Sequence, residues 1–307
     1  MNFLRRYKLI VFILVAAAGA GSIPAFAKVG LEVFGPFTLV SIRFFFAAIV
    51  LLPFAAKLGG LRRQVFREQA LVALVGAFNP IILFIGLQFT KASVTPVLYA
   101  AIPAMTAAYF WIVRGKKISV VQQFGVALGF AGVSLIALLP LFERGGVSAG
   151  ELGGNVIMFG AVIAFFVYTI MSKQNYAKTS VSPLVLTFWF TVVTFILSLP
   201  FAAYEIMNRP DTLGQIGLIH ILSGAEIGIV GTSIGYIAYQ SALRLGNEMS
   251  AAVILYLQPV VTFICAWILL GEKLTVAFGI GVVMALVGAQ IASGISLKRT
   301  APTTPGE

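Results

Sequence analysis

The stretch PAMTAAYFWIVRGKKISVVQQFGVALGFAGVSLI at residues 103–136 recurs without a gap, 156 positions later, as PVVTFICAWILLGEKLTVAFGIGVVMALVGAQIA at residues 259–292. Pro103/Pro259, Thr106/Thr262, Trp111/Trp267, Gly115/Gly271, Lys117/Lys273, Gly125/Gly281 and Gly132/Gly288 are among ten identities, more than two unrelated apolar helices share. Self-similarity of this kind governs the fold, because each copy is one structural unit. A second block agrees at a shift of 147, Pro36 and Pro53-Phe54-Ala55-Ala56 against Pro183 and Pro200-Phe201-Ala202-Ala203. The nine-residue difference fits an insertion in the polar loop from Glu205 to Gln215. The chain is thus written twice: one copy over 1–140, a glycine-rich polar linker over 141–151, a second copy over 152–295 and a polar tail over 296–307.

Composition names the solvent. Of the 307 residues 60% are apolar and 10% charged, against roughly 45–50% and about 25% in an average soluble chain. With mean hydropathy +1.01, a soluble domain of this make-up lacks the polar groups to cover its surface. That excludes a cytosolic enzyme, a disulfide scaffold and a disordered tail protein. The single cysteine, Cys265, allows no internal disulfide and no cysteine metal cluster. The net charge of +11 does not point to nucleic acid, because the Lys and Arg residues sit in short loops between apolar runs rather than on one basic stripe.

About 20 apolar residues cross the hydrocarbon as a helix. Such stretches fall near 9–27, 36–56, 71–89, 93–113, 119–139, 152–172, 183–203, 218–242, 249–270 and 275–295, giving ten expected spans. Fifteen Lys and Arg lie on the side of the N-terminus, five on the other, and Arg43 lies inside a span. The positive-inside rule therefore predicts an inner (plasma) membrane protein with both termini cytoplasmic. The N-terminus imitates a secretory signal, with Arg5-Arg6-Tyr7-Lys8, an apolar run and Ala25-Phe26-Ala27. Removing it would leave nine spans and break the repeat, so the segment is expected to stay as helix one.

Five spans per copy is an odd number, so the second copy enters from the opposite side. The expected fold is an all-α polytopic membrane protein with ten transmembrane helices in two inverted five-helix repeats. Secondary transporters use this construction, since exchanging the conformations of the halves exchanges the open side.

The run Leu87-Gln88-Phe89-Thr90-Lys91-Ala92-Ser93-Val94, with Pro103, Gly115-Lys116-Lys117, Gly125 and Gly132-Val133, resembles the drug/metabolite transporter superfamily, specifically its EamA-type ten-helix permeases. The echo Ala242-Leu243-Arg244, Pro259, Gly271-Glu272-Lys273, Gly281 and Gly288 is similar to the same signature, as are Gly21-Ser22, Lys28, Pro36 and Arg43-Phe44. The chain departs from it at Ala20, where the family often has tryptophan, and at Lys116, where it often has glutamate. The resemblance implies a small-molecule permease, most often an exporter of amino acids or related metabolites, with a site bounded by helices one, three, four, six, eight and nine. Uptake of a vitamin or nucleotide-type precursor on the same scaffold is the alternative. A passive channel predicts flux without saturation, and a receptor predicts none.

No phosphate loop occurs, and the lone His220 leaves metal catalysis without ligands. No enzyme, cofactor or metal is expected; the expected partners are a small-molecule substrate and the lipid bilayer, and the oligomeric state is not legible. Arg43 lies seven residues past Pro36, about 10 Å into its span. Two readings stand: a binding group for a substrate carboxylate, or a structural cation pairing carbonyls or a carboxylate. Glu226 is the acidic residue well inside a span, about 12 Å from its outer end. It is read as a proton-coupling carboxylate, as a partner of Arg43, or as interfacial if its helix starts later. Pro103 and Pro259, with Tyr99 and Tyr256 about a turn earlier, are expected to break helices four and nine and to mark the site. Asn79-Pro80 and its counterpart Gly235-Tyr236 add a second pair. Asn79, Tyr99, Tyr236, Tyr239, Tyr256 and Gln258 are expected to line a cavity or to pack between helices. Gly19-Ala20-Gly21-Ser22-Ile23-Pro24 is expected to break helix one beside it or to act as a hinge. Trp111 and Trp267 are expected at the interface.

Overall fold

A computed structural model describes residues 3–113, 115, 119–138, 149–208, 214–245, 248–273 and 275–292. Lys116, residues 141–148 of the linker and the C-terminal tail lie outside these, as does the side chain of Tyr256. The described residues form helices and no strand. They are α1 (Phe3–Leu31), α2 (Pro36–Lys57), α3 (Arg63–Leu87), α4 (Val94–Tyr99), α5 (Ile102–Ile112) and α6 (Val120–Ala137). The order continues with α7 (Ala149–Lys178), α8 (Pro183–Asn208), α9 (Leu218–Glu226), a π-helical segment (Ile227–Ile234), α10 (Gly235–Leu245), α11 (Glu248–Leu270) and α12 (Val276–Ala292). Six helices among the described residues are long and apolar enough to cross a membrane, one of them the continuous rod Leu218–Leu245, and four shorter apolar helices accompany them.

Burial is inverted relative to a soluble protein, with large apolar side chains facing outward. Leu71 is 63% exposed, Ile196 60% and Trp267 69%, whereas Arg43, Gln69, Asn79 and Gln240 are buried. Only a lipid solvent makes this favourable, because the spans close their backbone polar groups within helices and buried polar side chains turn toward each other. The chain is a multi-pass membrane protein.

Helix ends follow their sequence. Ser119 and Gln122 form a reciprocal capping box at α6, with Gln122 N donating to Ser119 Oγ at 3.2 Å and Ser119 N to Gln122 Oε1 at 3.0 Å. Gly115 and Gly271, equivalent in the two copies, both take φ near +64° after a helix end, the left-handed position a glycine adopts most cheaply. Trp111 and Trp267 are exposed near the ends of α5 and α11, as a side chain seeking the interface requires. At α2 the start is served from elsewhere. Glu205, at the far end of α8, accepts from Phe37 N at 3.2 Å, Thr38 N at 2.8 Å and Thr38 Oγ1 at 2.7 Å.

Three expectations about breaks need correction. Helix one is not broken at Gly19 to Pro24, since α1 runs through Pro24 without interruption. Pro259 likewise sits inside an unbroken α11, and Pro80 inside an unbroken α3. Among the described residues the one break at a proline is Ala100–Ala101, just before Pro103, where Ala100 N bonds to Pro96 and Val97 oxygens and Ala101 N to Leu98 O. Two prolines, Pro96 and Pro103, act within eight residues here; a lone proline is absorbed because neighbouring helices cover the freed carbonyl. The second irregularity, the π-helical segment, was not foreseen.

Candidate functional site

A small cavity of about 50 Å³ lies among α1, α2, α3, α4, α7, α10 and α11. Of the residues singled out in the sequence, Pro24, Arg43, Asn79, Tyr99, Tyr236, Tyr239 and Gln258 line it. Ser22, Glu226, Pro103 and Pro259 do not line it. Phe165 and Thr95 line it without having been anticipated; one phenylalanine among 26 and one threonine in an apolar run carry no sequence signal.

Asn79 ties the walls together. Its amide donates to the Tyr99 hydroxyl and, at 2.8 Å, to the Ala161 carbonyl, and its oxygen accepts from Tyr236 at 3.4 Å. One side chain of α3 thereby fixes α4, α7 and α10 around the cavity. Phe165 packs against Tyr99, Tyr236 and Tyr239 with ring centroids 5.3–6.4 Å apart, so the wall is aromatic with hydroxyl rims. Tyr239 reaches Thr169 at 3.1 Å.

Arg43 is 1% exposed. Its Nε donates to Thr232 Oγ1 at 2.7 Å, and neither terminal nitrogen has a hydrogen-bond partner. Around it stand rings rather than anions, with Cζ 5.0, 5.5 and 5.8 Å from the centroids of Phe44, Phe84 and Tyr236. Cation–π contact offsets part of the desolvation, but four N–H donors remain free on a buried cation beside a cavity. Thr232 is held for this bond by the π-helical segment, its hydroxyl donating to Ile227 O five residues back at 2.8 Å. Gly228 lets the segment approach, since a Cβ there would meet the Arg43 carbonyl at 2.5 Å. Such bulges recur at functional sites.

Glu226 ends α9, nine residues into its rod. It makes no ion pair with Arg43. Its Oε1 lies 2.7 Å from Ser22 Oγ, which also lies 2.9 Å from the Gly19 carbonyl, while Oε2 is buried without a partner. Beside Ser22, the carbonyl of Gly21 accepts from Thr262 Oγ1 at 2.6 Å, joining α1 to α11. Ala25, Ala92 and Ala266 continue that contact, and Glu272 accepts from Ala92 N and Ser93 N at 2.8 and 3.1 Å.

The chain matches the model of the EamA-like transporter family in two stretches, residues 7–138 and 152–294. It belongs to that family. Among its relatives is a protein named "Uncharacterized transporter" from Clostridium kluyveri, 28% identical over 89% of each chain. Another protein of that name, from Archaeoglobus fulgidus, is 27% identical over 87% of this chain and 90% of its own. A "Probable terminal-alkyne amino-acid exporter" from Streptantibioticus cattleyicolor is 24% identical over 96% of each. A solved crystal structure superposes with a TM-score of 0.66 at 18% identity, over 94% of this chain and 96% of the other; it shares the fold. The chain is a transporter, and family and relatives point away from an enzyme.

Proposed function

We propose that this protein is a secondary transporter with ten spans in two inverted five-helix repeats, moving a small carboxylate-bearing metabolite across the inner (plasma) membrane by alternating access, in the direction of export. Amino acids and related metabolites are the first substrate class. The observation that carries the reading is a fully buried guanidinium with both terminal nitrogens unpaired, at a cavity bounded by helices of both copies. A carboxylate offers two acceptors in the geometry of that fork, and such charge-assisted pairs are the strong ones. The alternative role of Arg43, a structural cation, has its support in the rings and the Thr232 hydroxyl around it, and the unpaired terminal nitrogens favour the binding role.

The two separate stretches of family match support the repeat. So does the packing, in which α2 lies along α8 and α6 along α12, each element against its own counterpart. The packing of the halves differs where α1 meets α11. α1 packs extensively on α11, whereas the equivalent pair, α7 with α4 and α5, touches lightly. Thr262 reaches across to Gly21, while its equivalent Thr106 bonds within its own helix to Ile102 O at 2.8 Å. An inverted pair frozen in one of two states carries this difference, sealed at one face and loosened at the other. With both termini cytoplasmic, the sealed face is the outer one. The name of the Streptantibioticus relative supports amino-acid export.

The test is counterflow in liposomes with a panel of carboxylate metabolites. Saturable exchange is expected, and Arg43→Ala is expected to weaken apparent affinity by roughly a hundredfold, the loss of a buried charge-assisted pair. Unsaturable flux, or unchanged affinity in Arg43→Ala, overturns the reading.

A further inference from the structure

We propose that Glu226 is a proton-carrying site, neutral in the conformation described here and ionised in the other, through which solute movement is coupled to protons. The proposal deepens the transport reading and rests on it.

The hydrogen count at Ser22 carries the inference. Its hydroxyl stands 2.9 Å from the Gly19 carbonyl oxygen and 2.7 Å from Glu226 Oε1. Both are oxygen–oxygen distances of hydrogen bonds, yet a serine hydroxyl owns one hydrogen and a main-chain carbonyl none. With Glu226 ionised, the one hydroxyl hydrogen has to be shared between two acceptors, which weakens both contacts. With a proton on Oε1, Glu226 donates to Ser22, Ser22 donates to Gly19, and both distances are accounted for. The remaining oxygen, Oε2, is buried with no donor. As the carbonyl of a neutral acid it tolerates that position, whereas half of a carboxylate charge there is far more expensive.

Two other carboxylates in this fold are served by donors of their own. Glu205 accepts three hydrogen bonds and Glu272 two backbone N–H bonds. Glu226 collects none it does not share. The groups around it fit the neutral form. From α1 comes Ser22; from α2, Arg43, which is within electrostatic range but makes no ion pair; and from α11, Cys265. From α10 Tyr236 turns to Arg43. His220, six residues toward the start of α9, faces Glu32 at 3.7 Å instead.

The position links the proton to both moving parts. Glu226 immediately precedes Ile227, whose carbonyl holds Thr232, which holds Arg43 at the cavity. Ser22 immediately follows Gly21, whose carbonyl takes Thr262 across the α1–α11 seal. On ionisation the Ser22 hydroxyl must leave Gly19 and serve the carboxylate, so the same event reaches the cavity cation and the seal.

Infrared difference spectroscopy of the full chain in liposomes, titrated in pH, tests the site without requiring transport. The expected result is a protonated-carboxyl C=O band at neutral pH that is missing in Glu226→Gln and shifted, not lost, in Glu226→Asp, which also guards against a misfolded glutamine variant. A second arm imposes a one-unit pH gradient. At one proton per solute this drives roughly tenfold accumulation, and Glu226→Gln is expected to lose it. Absence of the band in the wild-type protein, its persistence in Glu226→Gln, or gradient-driven accumulation by Glu226→Gln each overturns the proposal. Wild-type counterflow without a gradient separates this from failure of the transport reading, which alone abolishes it.

Discussion

At the scale of single residues, Arg43 is an imbalance the fold maintains. A buried cation with free donors lowers stability, and replacing such groups by apolar side chains of similar volume is often neutral or stabilising by about 1–4 kcal/mol. Arg43→Met is therefore expected to raise the melting temperature of the purified protein while weakening carboxylate binding, the usual opposition between stability and function at a site. A lower melting temperature restores the structural-cation reading. The stretch Gly19 to Ser22 works in the opposite sense, as close packing. A Cβ at Gly21 would stand 2.7 Å from Val261 Cβ and 3.0 Å from the Gln258 carbonyl. Gly21→Val is expected to force α1 off α11 at a cost of about 1–3 kcal/mol, the scale of overpacking. Thermal unfolding measures the loss; wild-type stability would show the seal to be loose.

At the scale of elements, the sequence was legible where one element's residues suffice and opaque where two elements meet. Span positions, the capping box at Ser119 and the paired glycines at 115 and 271 follow from local patterns. Arg43, Asn79, Tyr99, Tyr236, Tyr239 and Gln258 were found because a polar side chain in an apolar span has few reasons to be there, and all line the cavity. Proline was the poorer guide. It marks a lost hydrogen bond, but whether the helix breaks depends on neighbours that cover the carbonyl, and α1, α3 and α11 absorb theirs. The π-helical segment left no composition signature; two hydroxyls in it, Thr232 and Ser233, each bond five residues back. The cap that Glu205 gives α2 spans 167 residues and is equally invisible in sequence. Glu205→Ala is expected to cost about 0.5–2 kcal/mol, as for other removed N-terminal caps, with Glu205→Gln retaining part. Equal stability of wild type and Glu205→Ala would mean that solvent replaces the carboxylate.

At the scale of the molecule, everything turns on whether the two copies point in opposite directions. The charges argue that they do. Gly115-Lys116-Lys117 is basic where its equivalent Gly271-Glu272-Lys273 is neutralised, and basic loops are retained on the cytoplasmic side. The same difference bears on conformation. Glu272 can accept from the N–H groups that open α4, and does so at the sealed face; a lysine at the equivalent position 116 accepts nothing. Under the alternating-access proposal, the sealed face carries a carboxylate latch that its counterpart lacks, and the resting protein is expected to favour the state in which that face is shut. Single cysteines at 116 and 272, placed in a Cys265→Ser background, test both points with a membrane-impermeant maleimide. Position 116 is expected to react from the cytoplasmic side and 272 from the opposite side, the latter slowly in the resting state and faster once a solute drives turnover. Because cysteine at 272 itself removes the latch, the rate comparison is made at position 91, next to the capped amides, with Glu272 intact and then with Glu272→Gln. Faster labelling in Glu272→Gln is expected. Reaction of 116 and 272 from one common side ends the inverted arrangement; equal rates at 91 with and without the carboxylate end the latch alone.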